Sequence, residues 1–252
     1  MTRRLFDAHL HIVDPRFPLV ENSGYLPPPF TTADYMSRVG DLGVQGGAVV
    51  SGSFQAFDQA YLLDALASLP GKFVGVTQIP ADTPDARIVE LDGLGVRAVR
   101  FNVRRGGSAS LDELESLACR VHALVGWHSE LYIDSNDLAA LAPTLRRLPA
   151  ISIDHLGLSA DGFTDVLRLV DSGVRVKATG FGRVELDPVT AMRAIVDVDP
   201  GALMVGTDLP STRAPRPFVD SDLDLVHEAV GDDLIDDVLW SNAARWYRVV
   251  GR

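Results

Sequence analysis

Four of the six histidines stand where a short apolar run meets polar residues: His9, His11, His128 and His155. His9 and His11 lie two apart in FDAHLHI. Alternate residues of an extended segment project to the same side, so two imidazoles can address one ion or one substrate. Asp208, in MVGTDLP, follows another apolar run. A carboxylate just past a buried strand suits a general base toward water, although aspartate there is also an ordinary helix N-cap. His155, in SIDHLG, can ligate a metal or donate a hydrogen bond. Arg100 ends GVRAVR and Arg183 follows VKATGFG. Each offers the planar fork that matches a carboxylate. His128 is counted among the substrate contacts. Arg104 and Arg105, in NVRRGG, read as solvated surface at least as readily as ligand contacts. Lys177 is read as a structural lysine of the interior, and Glu130 and Tyr132 divide evenly between core and site.

These residues must be positioned by a repeating frame. Eight short runs rich in Val and Ile alternate with amphipathic stretches: Leu5–His9, Gly46–Val50, Phe73–Thr77, Val96–Phe101, His128–Ile133, Ile151–Asp154, Val174–Ala178 and Leu203–Gly206. Between and after them, apolar residues recur at three- and four-residue steps over Thr32–Leu42, Ala56–Leu69, Thr83–Leu94, Leu111–Val125, Asp137–Arg147, Asp161–Asp171, Pro188–Val196 and Ser221–Val230. Thr32, Asp137 and the Asp187-Pro188 pair supply helix-start chemistry. Parallel strands need such crossovers, and eight strand–helix units close as a single-domain α/β (β/α)8 TIM barrel over residues 1–252. An open doubly wound sheet is disfavoured because no glycine-rich phosphate loop follows the first strand. A barrel gathers its chemistry at the carboxyl ends of its strands, where His9, His11, Arg100, His155, Arg183 and Asp208 all fall. Residues 12–31 hold five prolines and form the longest irregular stretch, a candidate lid.

Composition excludes other classes. The 252 residues are 46% hydrophobic and carry a net charge of −11, so no basic nucleic-acid footprint exists. No run approaches the roughly 18 apolar residues of a membrane span. His9, His11 and Asp7 interrupt any secretory leader, which points to the cytoplasm. Cys119 is the sole cysteine, which excludes an internal disulfide, and its apolar-periodic surroundings predict a buried thiol. The closing VLWSNAARWYR is expected to pack across the side of the barrel. The protein is expected to be a monomer or a homodimer.

The ordered motifs FDAHLHI, GVRAVRFN, GWHSELYI, SIDHLG, VKATGFGRV, MVGTDLP and WSNAARWYR resemble the amidohydrolase superfamily over Leu5–Tyr247. The most similar branch is the amidohydrolase-related group of 2-pyrone-4,6-dicarboxylate lactonases and L-fuconolactonase-like enzymes. The resemblance implies a site in which His9, His11, His155 and Asp208 act on a small anionic or sugar-derived lactone. Asp208 would serve as general base, and Arg100, Arg183 and Tyr25 would hold the substrate carboxylate. The same four residues admit one divalent ion such as Zn²⁺, and equally admit catalysis without metal. The resemblance leaves three alternatives: a zinc-dependent decarboxylase of the aminocarboxymuconate-semialdehyde type, an amidase or hydratase, and a non-catalytic binding barrel.

Overall fold

A computed structural model describes residues 3–249. Eight parallel strands follow one another in sheet order: β1 (Leu5–Leu10), β2 (Val44–Val50), β3 (Lys72–Thr77), β4 (Val96–Phe101), β5 (His128–Leu131), β6 (Ile151–Ile153), β7 (Arg175–Ala178) and β8 (Leu203–Val205). Each is followed by a helix: α1 (Thr32–Arg38), α2 (Ala60–Ser68), α3 (Asp85–Gly93), α4 (Leu114–Val125), α5 (Leu138–Leu145), α6 (Phe163–Asp171), α7 (Pro188–Val198) and α8 (Asp222–Asp236). A short π turn over Asp237–Ser241 leads into α9 (Asn242–Trp246). The architecture is a (β/α)8 barrel, as the alternation predicts.

The helices form where apolar spacing and caps agree. In α6, Val166, Leu169 and Val170 face the sheet at three- and four-residue steps, and Gly173 at φ 100° ends the run. Asp187 caps α7 by accepting from Thr190 N–H at 2.8 Å, with Pro188 in the first turn. The cap of α1 is Thr31, one residue earlier than the sequence suggests. Thr31 and Asp34 form a reciprocal capping box there, which satisfies two backbone donors at once.

Two cores hold the barrel. An outer layer between sheet and helices contains Tyr35, Leu62, Ile88, Val121, Leu138, Met192 and Val226. An inner layer of Phe6, Ala8, Ala48, Val50, Val74, Val76, Ala98 and Met204 is covered by Trp240, Ala243, Ala244 and Tyr247. Burying a large apolar side chain stabilises by about 1.5–3 kcal/mol. The closing segment therefore plugs the inside of the barrel rather than lying across its side, because its aromatics meet the inward-facing residues of β1–β4. Phe6 and Tyr247 stack at 5.5 Å, and Phe6 meets Trp240 edge-on at 5.9 Å.

The seam between β8 and β1 is closed by a side chain. Buried Asp7 accepts from Thr207 N–H at 2.8 Å, the Thr207 hydroxyl at 2.7 Å and the Tyr35 hydroxyl at 2.9 Å. Asp208 N–H donates to the His9 carbonyl, and His11 N–H to that of Leu209, both at 2.7 Å. Gly206 permits this approach, since a Cβ there would lie 2.6 Å from the His9 nitrogen. One further expectation fails. Cys119 is exposed, because Leu117, Ala118 and Val121 occupy the buried face of α4 and turn it outward. Among the described residues, no helix is long and apolar enough to cross a membrane.

Candidate active site

Closure of β1 onto β8 brings His9, His11 and Asp208 together at the carboxyl ends of the strands. His9 Nε2 lies 3.8 Å and His11 Nε2 lies 3.6 Å from Asp208 Oδ1. The ring of His155 lies 4.9 Å from that of His9. His11 Nδ1 donates to the Val50 carbonyl at 2.7 Å. Its proton therefore sits on Nδ1, which leaves the Nε2 lone pair toward Asp208. His9 Nδ1 faces Asp154 Oδ1 at 3.3 Å and Lys177 Nζ at 3.5 Å. His155 and Asp208 both adopt left-handed backbone, at φ 53° and 59°. Such conformations are strained for non-glycine residues and concentrate at functional sites. Gly180, at φ 62°, must lack a side chain, because a Cβ there would lie 2.6 Å from His155 Nδ1.

Burial sets the charge states. His9 is pushed down to about 4 by burial, against the pull of Asp154. Burial likewise holds His155 well below the usual histidine range, despite nearby Asp208. Both are neutral imidazoles at neutral pH. Burial acts to raise Asp208, but the Arg183 guanidinium, with the neighbouring histidines, takes it well below the usual carboxylate range. Arg183 donates to Asp208 Oδ2 from Nε at 3.0 Å and through a second, shorter bond from its terminal nitrogen. Among the described residues, Asp208 Oδ1 has no hydrogen-bond partner, nor do His9 Nε2, His155 Nδ1 and Asp154 Oδ1, all buried. Unpaired buried polar atoms are costly and rare in folded proteins.

Those orphaned atoms are a donor set for a cation. One ligand atom from each of His9, His11 and Asp208 lies within 4.8 Å of the others, and the same holds for His9, Asp154 and His155. Neutral imidazoles and a carboxylate are ordinary ligands of a divalent metal. Asp154 facing His9 Nδ1 matches the carboxylate–histidine pairing that orients metal ligands. The residues present therefore fit such an ion.

Above them opens a narrow cavity lined by His11, Arg100, Arg105, Tyr132, His155, Arg183, Asp208 and Arg213, among others. Arg105, Tyr132, Arg183 and Arg213 also line an adjoining groove. The predicted residues take different places around this cavity. Arg100 reaches it, but two nitrogens are engaged, by the Ser51 carbonyl at 2.7 Å and Asp154 Oδ2 at 2.9 Å, while buried Nε has no hydrogen-bond partner among the described residues. Tyr25 lies in the first loop beneath Arg213, whose guanidinium sits 4.5 Å from the ring centre. That loop, residues 12–31, reaches the rim: Asn22 donates to the Arg105 carbonyl at 3.1 Å and accepts from Arg213.

His128 is not brought to the cavity. It lies at the amino end of β5, against Trp246 and Tyr247, where it pairs with Glu130 at 3.1 Å. A residue that opens a parallel strand lies at the opposite end of a barrel from the catalytic loops. Glu130 is also interior, with Lys177 2.5 Å from its Oε2. Tyr132 lines the cavity, its ring 5.0 Å from that of His155. Asp154, Asp7, Arg105 and Arg213 carry weight that the motifs alone do not assign. For Asp154, adjacency to His155 past a three-residue strand is the one signal in the sequence. Arg213 has none, because it lies in an irregular loop.

The whole barrel can be compared with known proteins on this basis. The amidohydrolase family model matches residues 6–249. A 2-pyrone-4,6-dicarboxylate hydrolase of Comamonas testosteroni is 33% identical over 171 residues, 66% of this chain. The match spans about half, 54%, of that relative's length. A 4-sulfomuconolactone hydrolase of Hydrogenophaga intermedia is 30% identical over 229 residues, covering 81% of this chain and 74% of that one. Among solved structures, a candidate 2-pyrone-4,6-dicarboxylic acid hydrolase from Pseudomonas putida superposes with a TM-score of 0.82 at 24% identity, over 100% of both chains. A similarly assigned Acinetobacter baumannii protein with bound citric acid gives a TM-score of 0.83 at 20% identity, covering 98% of this chain and 100% of that one. These structural matches bear on the fold, and the family match extends over nearly every described residue. The chain belongs to the amidohydrolase family.

Proposed function

We propose that this protein is a hydrolase that opens a small lactone bearing anionic groups. One observation carries the reading. Unpartnered buried atoms of His155 and Asp208 lie at the base of a cavity whose walls hold Arg100, Arg105, Arg183 and Arg213, with the unpartnered His9 Nε2 behind them, 3.8 Å from Asp208 Oδ1. An anionic substrate is drawn to such a wall, and water and a carbonyl are handled at its base. The names of the Comamonas and Hydrogenophaga relatives, both lactone hydrolases, point the same way.

Asp208 Oδ1 is the atom that takes a proton from attacking water. Arg183, bonded to Asp208 Oδ2, weakens it as a base in the free protein. A substrate carboxylate offers that guanidinium a second acceptor, and transfer of Arg183 to it restores the proton affinity of Asp208. The proton then passes from Asp208 to the leaving alkoxide, which completes ring opening. Arg100 Nε and Arg183 orient the substrate, and Arg105 and Arg213 attract an anionic group at the rim. A divalent cation, with zinc suited to this ligand set, would be held by His9, His11, His155 and Asp208 and would supply Lewis-acid polarisation of the carbonyl.

A pH-indicator screen of purified protein tests this, covering pyrone dicarboxylate, muconolactones and sugar lactones, each against its spontaneous opening. We expect accelerated proton release on a carboxylated lactone. No acceleration on any lactone, with protein shown to be folded, removes the proposal in favour of the zinc-dependent decarboxylase.

A further inference from the structure

Below His9 lie two buried charged groups that the proposed chemistry does not use, Lys177 and Glu130. Lys177 is completely buried, and its Nζ lies 2.5 Å from Glu130 Oε2, 3.5 Å from Asp154 Oδ1 and 3.5 Å from His9 Nδ1. Glu130 is anchored from beneath by the Tyr247 hydroxyl and by His128, so Lys177 is tethered to the floor of the barrel. Asp154 is gripped on its other oxygen by Arg100 at 2.9 Å. Lys177 and Arg100 together balance Glu130 and Asp154, so the cluster is neutral while both histidines are neutral. Isolated buried charges are expensive, and apolar side chains would fill a barrel interior at lower cost.

We infer that Lys177 is a positioning residue. Held by Glu130, it fixes the Asp154 carboxylate against His9 Nδ1, so that the His9 ring keeps its proton on Nδ1 and presents the Nε2 lone pair to Asp208. The inference rests on reading His9 as an active-site imidazole. Its physical content is a choice between two hydrogen-bond arrangements. If Lys177 donated to His9 Nδ1 instead, the His9 proton would sit on Nε2 and its lone pair would face the floor.

The test compares wild type, Glu130→Gln and the double variant Lys177→Met with Glu130→Gln. The double change removes one positive and one negative charge, so it leaves no uncompensated buried ion. Long-range ¹H–¹⁵N spectra of the imidazoles report the His9 tautomer with no substrate present, so they stand or fall apart from the lactonase reading. We expect the Nδ1–H tautomer in wild type and in Glu130→Gln, and a mixture in the double variant. On a substrate identified by the hydrolysis screen, kcat of the double variant should fall at least tenfold with KM within twofold. An Nε2–H tautomer in wild type overturns the inference. So does a folded double variant that keeps both the Nδ1–H tautomer and the wild-type kcat. If the double variant does not fold, Lys177→Leu with Glu130→Leu, which removes the donor and fills the interior with apolar side chains, carries the same expectations.

Discussion

At the floor of the barrel, Glu130 receives Lys177, the Tyr247 hydroxyl and His128, and the stacked rings of Phe6 and Tyr247 close over them. At the mouth, His9 Nε2, His155 Nδ1, Asp208 Oδ1 and Arg100 Nε have no hydrogen-bond partner among the described residues. Both regions bury charge in one barrel and on the same strands. The floor answers its charged groups internally, as a stable interior requires. The mouth leaves lone pairs and donors facing a cavity, and adds left-handed backbone at His155 and Asp208. Polarity and burial therefore do not distinguish site from scaffold here. The distinction is whether the buried groups are satisfied by one another or left for a ligand.

Acid should expose the contrast most strongly. His9, His128 and His155 are all held below their ordinary range, chiefly by burial. As pH falls below about 6.5, the unfolded chain takes up protons that the metal-free folded protein refuses, so acidification destabilises it. With His9 at about 4, that residue alone contributes a loss on the order of 3 kcal/mol between about pH 6.5 and 4. Asp7 acts in the opposite sense. Burial lifts it to about 6 despite its donors, so the folded form takes its proton first and gains stability as pH falls through that value. Denaturant midpoints measured across this range should fall for wild type, and more steeply for Asp7→Asn, which lacks the opposing contribution. A flat wild-type profile would mean that the mouth is not a set of neutral buried imidazoles.

Damage confined to the floor should separate stability from turnover. Trp240→Ala empties the aromatic cluster beneath β1 and should lower unfolding free energy by about 3–5 kcal/mol. Activity per folded molecule should stay within twofold. A large drop in kcat for folded Trp240→Ala would show that the two ends are coupled more tightly than the division allows.

Asp208→Asn makes the complementary cut at the mouth. Turnover of the lactone should fall by at least about a hundredfold, the lower range for acid–base groups. Turnover near wild type would remove Asp208 as the base. The smallest effect is expected at the rim, where Arg105→Ala should raise KM for an anionic lactone about tenfold through loss of one charge-assisted contact, leaving kcat little changed. An unchanged KM would assign Arg105 to the solvated surface instead.

Much of the barrel and of its mouth is legible in the order of the residues. Alternating β-branched runs and three- and four-residue apolar spacing specify eight strand–helix units, because both periods follow from local backbone geometry. Residues that end those strands, His9, His11, Arg100, His155, Arg183 and Asp208, then fall at one mouth by topology. Residue order does not say which groups pair. Arg183 bonds to Asp208, 25 residues away, and Arg100 to Asp154, 54 residues away. Lys177 meets His9 across 168 residues and Glu130 across 47. His128 lies at the floor because a strand's first residue and its last differ in depth by the length of the strand. Cys119 faces outward because Leu117, Ala118 and Val121 set the phase of α4 against the sheet. Local spacing determines which elements form and which end of each carries polar groups. Register, depth and the β1–β8 seam arise only when the barrel closes, and they decide which buried groups satisfy one another and which remain open to a substrate.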